Sequence, residues 1–245
     1  MSALRVLIVG EGRSDIGDLD ALALPQPVGK RAKAVVQGFV PPLVRRVLGK
    51  VDIEAQKVTS LGRYEKKAKL DGHADKAAKA LALAFAGSFD VLVFVKDVDR
   101  QGGVKKSAKE RNAKLKAMHF QIDAGFAAVT GAEAVARVKG TPCRMIEAWA
   151  LGDADAIAKV ANVRAKREPC PSAPEELWGD ESDTASSHPK CVLPRVLGKE
   201  AAAETFEEIA HEVDLDRLVE SCPESFEPFL RELRAVLTLR LAAPK

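Results

Sequence analysis

Two short apolar runs, each followed at once by charged residues, constrain the fold of this chain more than any other feature. The first runs from Leu4 to Val9 and is stopped by Gly10, and the second, Val91 to Val95, leads directly into Lys96. Apolar residues without strict alternation are typical of strands buried on both faces, as in a parallel sheet. The pattern of apolar residues between the two runs predicts further strands and helices in alternation. This order predicts an α/β fold with a mostly parallel sheet flanked by helices.

The remaining elements follow from hydrophobic spacing and from helix-end signals. We expect a strand near 53–58, an Ala-rich helix over 74–86, a basic helix over 104–118, a short strand near 134–139 and a helix over 145–151. Pro41-Pro42 is expected to break or restart an earlier basic helix, and Asp153 to cap the helix after Gly152. Residues 163–190 predict a long irregular connection, and helices follow over 201–213, 215–221 and 223–241. We therefore expect an α/β metal-binding domain over 1–152, with an irregular loop and a helical extension over 153–245 packed on it.

Composition limits the classes of protein that the chain can belong to. With 245 residues, of which 47% are hydrophobic, it can bury one substantial core. The four cysteines include no CxxC pair, which argues against a disulfide framework or a zinc site. The first apolar run is too short for a signal peptide, and no run reaches the roughly 20 residues of a membrane span. We expect a soluble cytoplasmic protein with no membrane partner.

Charge is nearly balanced overall, with a formal net of +3, but it is unevenly distributed. Residues 30–69 carry 11 basic and 3 acidic side chains, whereas residues 200–232 carry 11 acidic and 2 basic ones. A basic surface suits a polyanion such as DNA or RNA, although a charged helix face is also ordinary solvated surface. We expect the acidic C-terminal helices to lie away from any substrate groove and to support the core; the alternative is that they occlude the groove until a partner moves them.

Carboxylates follow both apolar runs, where parallel strands would bring them together. Glu11 stands between Gly10 and Gly12 after the first run, and Asp97 and Asp99 follow the second. Ligands bind in the crevice at the carboxyl ends of parallel strands, so these three side chains should converge. Converging carboxylates repel one another, and oxygen ligands favour Mg²⁺ or Mn²⁺ as the compensating ion. Acidic residues after a strand are also common as turn formers or helix caps.

The chain resembles the Toprim domain, the metal-binding fold of topoisomerases, primases, ribosomal RNA maturation nucleases and overcoming-lysogenization-defect nucleases. More specifically, it resembles a family of small bacterial and archaeal Toprim-like proteins of unknown function. The motifs that carry the resemblance are Gly10-Glu11-Gly12 with Ser14-Asp15, Asp97-Val98-Asp99, Pro142 with Ile146-Glu147-Ala148-Trp149, Leu151 and Asp153, His188-Pro189-Lys190, and Cys222-Pro223 with Ser225-Phe226. The resemblance implies that Glu11 is a general acid or base and that Asp97 and Asp99 bind Mg²⁺.

Further residues are candidates for the same site. Glu147 is either a further metal or substrate carboxylate or a first-turn acid that stabilises its helix. Lys190 is either a phosphate contact or an ordinary lysine at a helix start. The candidates for contact with phosphate or nucleic acid are Gly12, Lys96, Arg100, Lys105, Lys106 and Lys109. For Lys96 and Arg100, which bracket the aspartates, the alternative is an ion pair with those carboxylates.

The leading interpretation is a Mg²⁺-dependent nuclease that hydrolyses phosphodiester bonds in DNA or RNA. The family resemblance also implies an ATPase partner protein and a role in defence against phages and other mobile elements. A haloacid-dehalogenase-like phosphotransferase is an alternative because an apolar strand followed by DxD also describes its nucleophile. That reading leaves Glu11 unexplained, and Gln101 stands where its motif has Thr or Val. A third alternative is a non-catalytic module that binds nucleic acid or regulates a partner.

Overall fold

A four-stranded parallel sheet forms the centre of the protein. The computed structural model describes residues 3–18, 36–63, 70, 72–98 and 107–242. The strands are β1 (Leu4–Gly10), β2 (Val51–Lys57), β3 (Val91–Val95) and β4 (Ala136–Gly140), and their order in the sheet is β2-β1-β3-β4. All three pairings are parallel. The predicted α/β class with a parallel sheet is thus confirmed.

Helices cover both faces of the sheet. They are α1 (Arg13–Ile16), α2 (Val40–Leu48), α3 (Gly72–Ala86), α4 (Ala108–Ala127), α5 (Ile146–Ala150), α6 (Ala154–Val160), α7 (Pro189–Leu197), α8 (Ala203–Glu212), α9 (Leu215–Ser221) and α10 (Phe226–Ala242). Two 3-10 helices span Val58–Arg63 and Pro174–Glu176. Among the described residues, no helix is both long enough and apolar enough to cross a membrane.

Side chains of each strand alternate between two hydrophobic cores, which explains why the strands show unbroken apolar runs. Val6 and Ile8 of β1 point into one core, and Leu7 and Val9 point into the other. The first core lies under α1, α2 and the helices from α5 to α10, and the second lies under α3 and α4. The acidic C-terminal helices therefore use their apolar faces to cover one side of the sheet. Helix α8 also contacts α1, close to the carboxyl end of β1.

Several element boundaries differ from the sequence expectation. The prolines 41 and 42 do not break α2 but lie in its first turn, where their missing N–H groups cost nothing. Helix α4 begins after a capping box formed by Ser107 and Glu110 and continues to Ala127, nine residues beyond the expected end. Helix α7 is not among the helices expected from hydrophobic spacing, but Pro189 occupies its first turn, and Lys190 lies at a helix start as one of its two readings has it.

A buried hydrogen-bond network fixes α5 and thereby the position of Glu147. The Ser225 hydroxyl accepts from Trp149 Nε1 at 2.7 Å and from the Cys143 backbone N–H at 3.2 Å, and it donates to Glu175 Oε1. The Trp149 ring is also packed against two phenylalanines of α10, with centroid separations of 5.2 and 5.1 Å. The motifs around Trp149 and Ser225 therefore pack together and are joined by a buried hydrogen bond.

Candidate functional site

The sheet topology creates a crevice at the carboxyl ends of β1 and β3. The chain leaves β1 toward β2 on one side and later returns on the other side as β3, so the strand order reverses at β1. Ligands of open α/β sheets bind at such a switch point. Glu11 follows β1 and Asp97 follows β3, while Glu147 lies on α5 after β4.

Asp15 holds the turn that carries Glu11. Its Oδ2 atom accepts hydrogen bonds from the backbone N–H groups of Glu11 at 2.6 Å and Gly12 at 3.2 Å. Asp15 is buried, with 4% of its surface exposed. Gly10 is required here because a Cβ atom at that position would lie 2.7 Å from Ile16 Cγ2. Gly12 is different, because a Cβ atom there would meet nothing within 4 Å.

Lys96 forms an ion pair with Glu11 across the two strand ends. Its Nζ atom contacts Glu11 Oε1, and the two side chains are only 8% and 9% exposed. Lys96 is the only buried lysine among the described residues. The ammonium group thus lies inside the crevice beside the carboxylates and not on the solvated surface.

Asp97 faces three other carboxylates. Burial raises the pKa of Asp97 well above its ordinary value, and the charges of Asp15, Glu11 and Glu147 raise it further. The carboxyl groups of Asp97 and Glu11 are in hydrogen-bond contact. No described residue donates a hydrogen bond to the buried Asp97 Oδ1 atom. Two carboxyl groups in contact require a shared proton or a cation, because both cannot carry charge without compensation.

Glu147 belongs to the same electrostatic environment. Glu147 is 7% exposed. Burial and the charge of Asp15 raise the pKa of its carboxyl group to about 7, although a backbone hydrogen bond and the charge of Lys190 act in the opposite direction. A carboxyl group with a pKa near neutrality can both accept and donate a proton at physiological pH. This property supports a chemical role over a purely helix-stabilising one.

Two basic side chains, Lys190 and Arg144, contact the long connection between α6 and α7. Lys190, near the start of α7, pairs with Glu181 at 2.6 Å and remains 44% exposed. Arg144 stacks on the Trp178 ring at 3.8 Å and donates to the Leu177 carbonyl at 3.1 Å. Its backbone φ of 67° lies in the left-handed region, which a non-glycine residue adopts at an energetic cost. Arg144 therefore has a strained backbone conformation in the segment between β4 and α5.

Other predicted contacts are more dispersed. Lys109 is exposed on α4, so it is available to a polyanion, whereas Arg111 on the same helix pairs with Glu176 and Glu224. Four predicted site residues lie outside the described residues: Asp99, Arg100, Lys105 and Lys106. Glu11, Asp97, Glu147 and Lys96 are therefore the predicted residues that the structure brings together.

Two residues of the site were not selected from the sequence. Asp15, four residues after Glu11, belongs to the motif that carries the resemblance, but nothing in the sequence assigns it a role of its own. His73, at the start of α3, has a pKa lowered by burial and by the charges of Lys96 and Lys76, and it also senses Glu11. Nothing in the sequence around His73 indicates that α3 begins beside the crevice, because that placement depends on tertiary packing.

A second cluster of acidic and thiol groups has a structural explanation. One ligand atom each from Cys143, Glu175 and Glu224 lies within 4.8 Å of the others. However, Glu175 accepts the backbone N–H groups of Glu224 and Ser225, and Arg111 pairs with Glu224. Burial raises the pKa of the Cys143 thiol far above its ordinary value, so the thiolate form that binds metals is disfavoured. This cluster fixes the start of α10.

Comparisons with known proteins place the chain in a family without assigning an activity. No curated protein and no solved structure matches it. A family model described as a domain of unknown function, DUF4276, matches residues 36–234. The match covers most of the chain and includes β2, β3, β4 and all helices from α2 to α9. The chain therefore belongs to the DUF4276 family.

Proposed function

We propose that this chain is a Mg²⁺-dependent phosphodiesterase that acts on DNA or RNA. The observation that carries the proposal is the contact between the Glu11 and Asp97 carboxyl groups at two adjacent strand ends, with Asp15 and Glu147 close by. Such a concentration of buried carboxylates with perturbed pKa values is typical of functional sites. The resemblance to Toprim nucleases also supports the proposal.

The residues fit a hard divalent cation. The groups that act on Asp97 are the carboxyl groups of Glu11, Asp15 and Glu147, and oxygen ligands of this kind favour Mg²⁺ or Mn²⁺. The buried Asp97 Oδ1 atom, to which no described residue donates, is available as a ligand. Glu11 and Asp97 would hold the ion. A divalent cation bound there would polarise a phosphoryl oxygen and make a bound water more acidic.

The side chains around these two carboxylates have distinct roles in the proposed reaction. Glu147, whose pKa is about 7, accepts a proton from the attacking water through its carboxylate. Lys190 contributes positive charge toward the phosphate from the loop side, since its ammonium group is partly exposed. Asp15 positions the backbone of Glu11 and does not itself contact the substrate.

Exposed lysines on α4 support nucleic acid as the substrate class. Lys109 and Lys116 are exposed on α4, the helix that follows β3. These side chains can neutralise phosphates that flank the crevice, a contact that positions a nucleic acid without reading its sequence. We include an ATPase partner in the proposal, and its only support is the family resemblance.

Cleavage assays with matched variants test the proposal. Supercoiled plasmid and a structured RNA are incubated with the protein in Mg²⁺ or Mn²⁺, with EDTA as the metal-free reference. Asp97→Asn should lose at least about 100-fold in rate, as expected when a principal charge-stabilising group is removed. Asp123→Asn is the control, because Asp123 is 55% exposed and pairs with Lys139 on the surface of the protein.

Two results would contradict the proposal. Cleavage that persists unchanged in Asp97→Asn would place the activity elsewhere or in a contaminant. Hydrolysis of a small phosphate monoester that depends on Asp97, without cleavage of either nucleic acid, would instead support the phosphotransferase alternative.

A further inference from the structure

Lys96 is the only buried lysine in the part of the chain that the structure describes, and its ammonium group lies beside carboxylates. It contacts Glu11, which in turn contacts Asp97. Transfer of an ammonium group out of water costs several kcal/mol unless a nearby charge compensates it. Its retention at this position therefore requires the negative potential of the carboxylates.

The carboxylates require the ammonium group equally. Glu11 and Asp97 are in contact, with Asp15 and Glu147 near enough to influence Asp97. Like charges at such distances disfavour the folded state when no cation is present. Lys96 supplies one positive charge at the point where two strands bring these groups together.

A divalent cation and the ammonium group compete for the same carboxylate. A cation held by Glu11 and Asp97 would lie within a few ångströms of Lys96 Nζ, where two positive charges repel strongly in a buried environment. Lysine suits an exchange because its charge is compact and its stem is flexible, unlike the planar fork of arginine.

We propose that Lys96 is an internal counter-ion that neutralises the carboxylate site in the metal-free protein and leaves Glu11 when a divalent cation binds. The inference rests on the proposed function, because it assumes that Glu11 and Asp97 bind the cation. After the exchange, the ammonium group is released at the crevice, where it can contact a phosphate oxygen. Lys96 is thus a positioning residue that couples metal binding to the arrangement of the site.

Calorimetry with Mn²⁺ on the purified full chain tests the exchange. Lys96→Met removes the competing charge and should bind Mn²⁺ at least about tenfold more tightly than the wild type. Without metal, the same variant should melt at a lower temperature, and saturating Mn²⁺ should raise its melting temperature more than that of the wild type. Lys96→Arg, which keeps the positive charge, should return the affinity toward the wild-type value.

Lys79→Met is the matched control. Lys79 also forms a partly buried ion pair, with Asp75 at 3.0 Å, and its side chain is 13% exposed, but this pair lies within α3. Loss of this pair should leave Mn²⁺ affinity unchanged. A tightening in both lysine variants would reflect net charge alone and would overturn the exchange.

The outcomes separate this inference from the proposed function. If the wild type binds Mn²⁺ and Lys96→Met binds it equally or more weakly, the exchange is wrong and the metal site stands. If neither protein binds Mn²⁺, both the metal site and the exchange are wrong. If Lys96→Met is unfolded without metal, recovery of cooperative melting in Mn²⁺ supports the exchange, and failure to recover at saturating Mn²⁺ overturns it.

Discussion

Glu147→Gln should stabilise the metal-free protein at neutral and alkaline pH. Burial raises the pKa of Glu147 from 4.5 to about 7 in the folded state. In the unfolded state the carboxyl group returns to its ordinary pKa. Between these two values the folded protein binds a proton that the unfolded chain has lost, so its stability falls as pH rises through this window. Glutamine keeps the shape of the side chain and removes the proton equilibrium.

The magnitude follows from the size of the pKa shift. Each pKa unit corresponds to 1.36 kcal/mol, so the shift of Glu147 amounts to about 3 kcal/mol in the free energy of unfolding. This penalty is absent below the unfolded pKa, grows with rising pH, and reaches its full value above the folded pKa. The difference in stability between Glu147→Gln and wild type should therefore change by about 3 kcal/mol between about pH 4 and pH 8.

Urea denaturation at a series of pH values in EDTA measures this difference, with linear extrapolation to water. Glu220→Gln, at an exposed position of α9, controls for the loss of one carboxylate. The reasoning is refuted if the pH profiles of Glu147→Gln and the wild type run parallel, or if the variant is the less stable protein at pH 8.

Three further changes probe the fold around the site. Ser225→Ala removes the acceptor of Trp149 Nε1 and of the Cys143 backbone N–H, so it should lower the free energy of unfolding by about 1–3 kcal/mol, measured in urea. Gly10→Ala should lower the melting temperature because its Cβ would lie 2.7 Å from a side-chain carbon of α1, whereas Gly12→Ala should melt like the wild type. Truncation after Lys199 removes three helices that cover the sheet, and near-ultraviolet circular dichroism should show the loss of fixed packing; a cooperatively melting, hyperactive fragment would contradict this.

The part of the fold that sequence predicted best is the part set by local chemistry. The runs before Gly10 and Lys96 are apolar because both faces of the strands are buried, and this arrangement occurs almost only in parallel sheets. Parallel strands align their carboxyl ends, so the approach of Glu11 to Asp97 could be predicted without coordinates. Asp153 as a helix cap likewise follows from side-chain chemistry, and its Oδ1 atom accepts from the first turn of α6.

The features that escaped prediction depend on contacts between distant segments. The sequence leaves two readings open for Lys96, a phosphate contact or a pair with the neighbouring aspartates, and nothing local indicates that it is enclosed beside Glu11 on another strand. The strain at Arg144 is invisible in sequence, since it arises where the chain turns from β4 into α5. Helix α7 is indicated in the sequence only by a candidate helix start at Lys190, whereas its packing through Val192 and Leu193 depends on the distant core.

The division of the core between early and late parts of the chain has a consequence for folding kinetics. One face of β1 and β3 is covered by residues that lie far downstream, including Phe206, Phe229 and Leu233. During synthesis, both strands leave the ribosome well before these residues are made. One apolar face of the strands therefore stays exposed until the downstream helices are complete. Such delayed, non-local closure is associated with slow folding and exposes intermediates to aggregation. The nascent chain should therefore depend on chaperones until α10 has been completed.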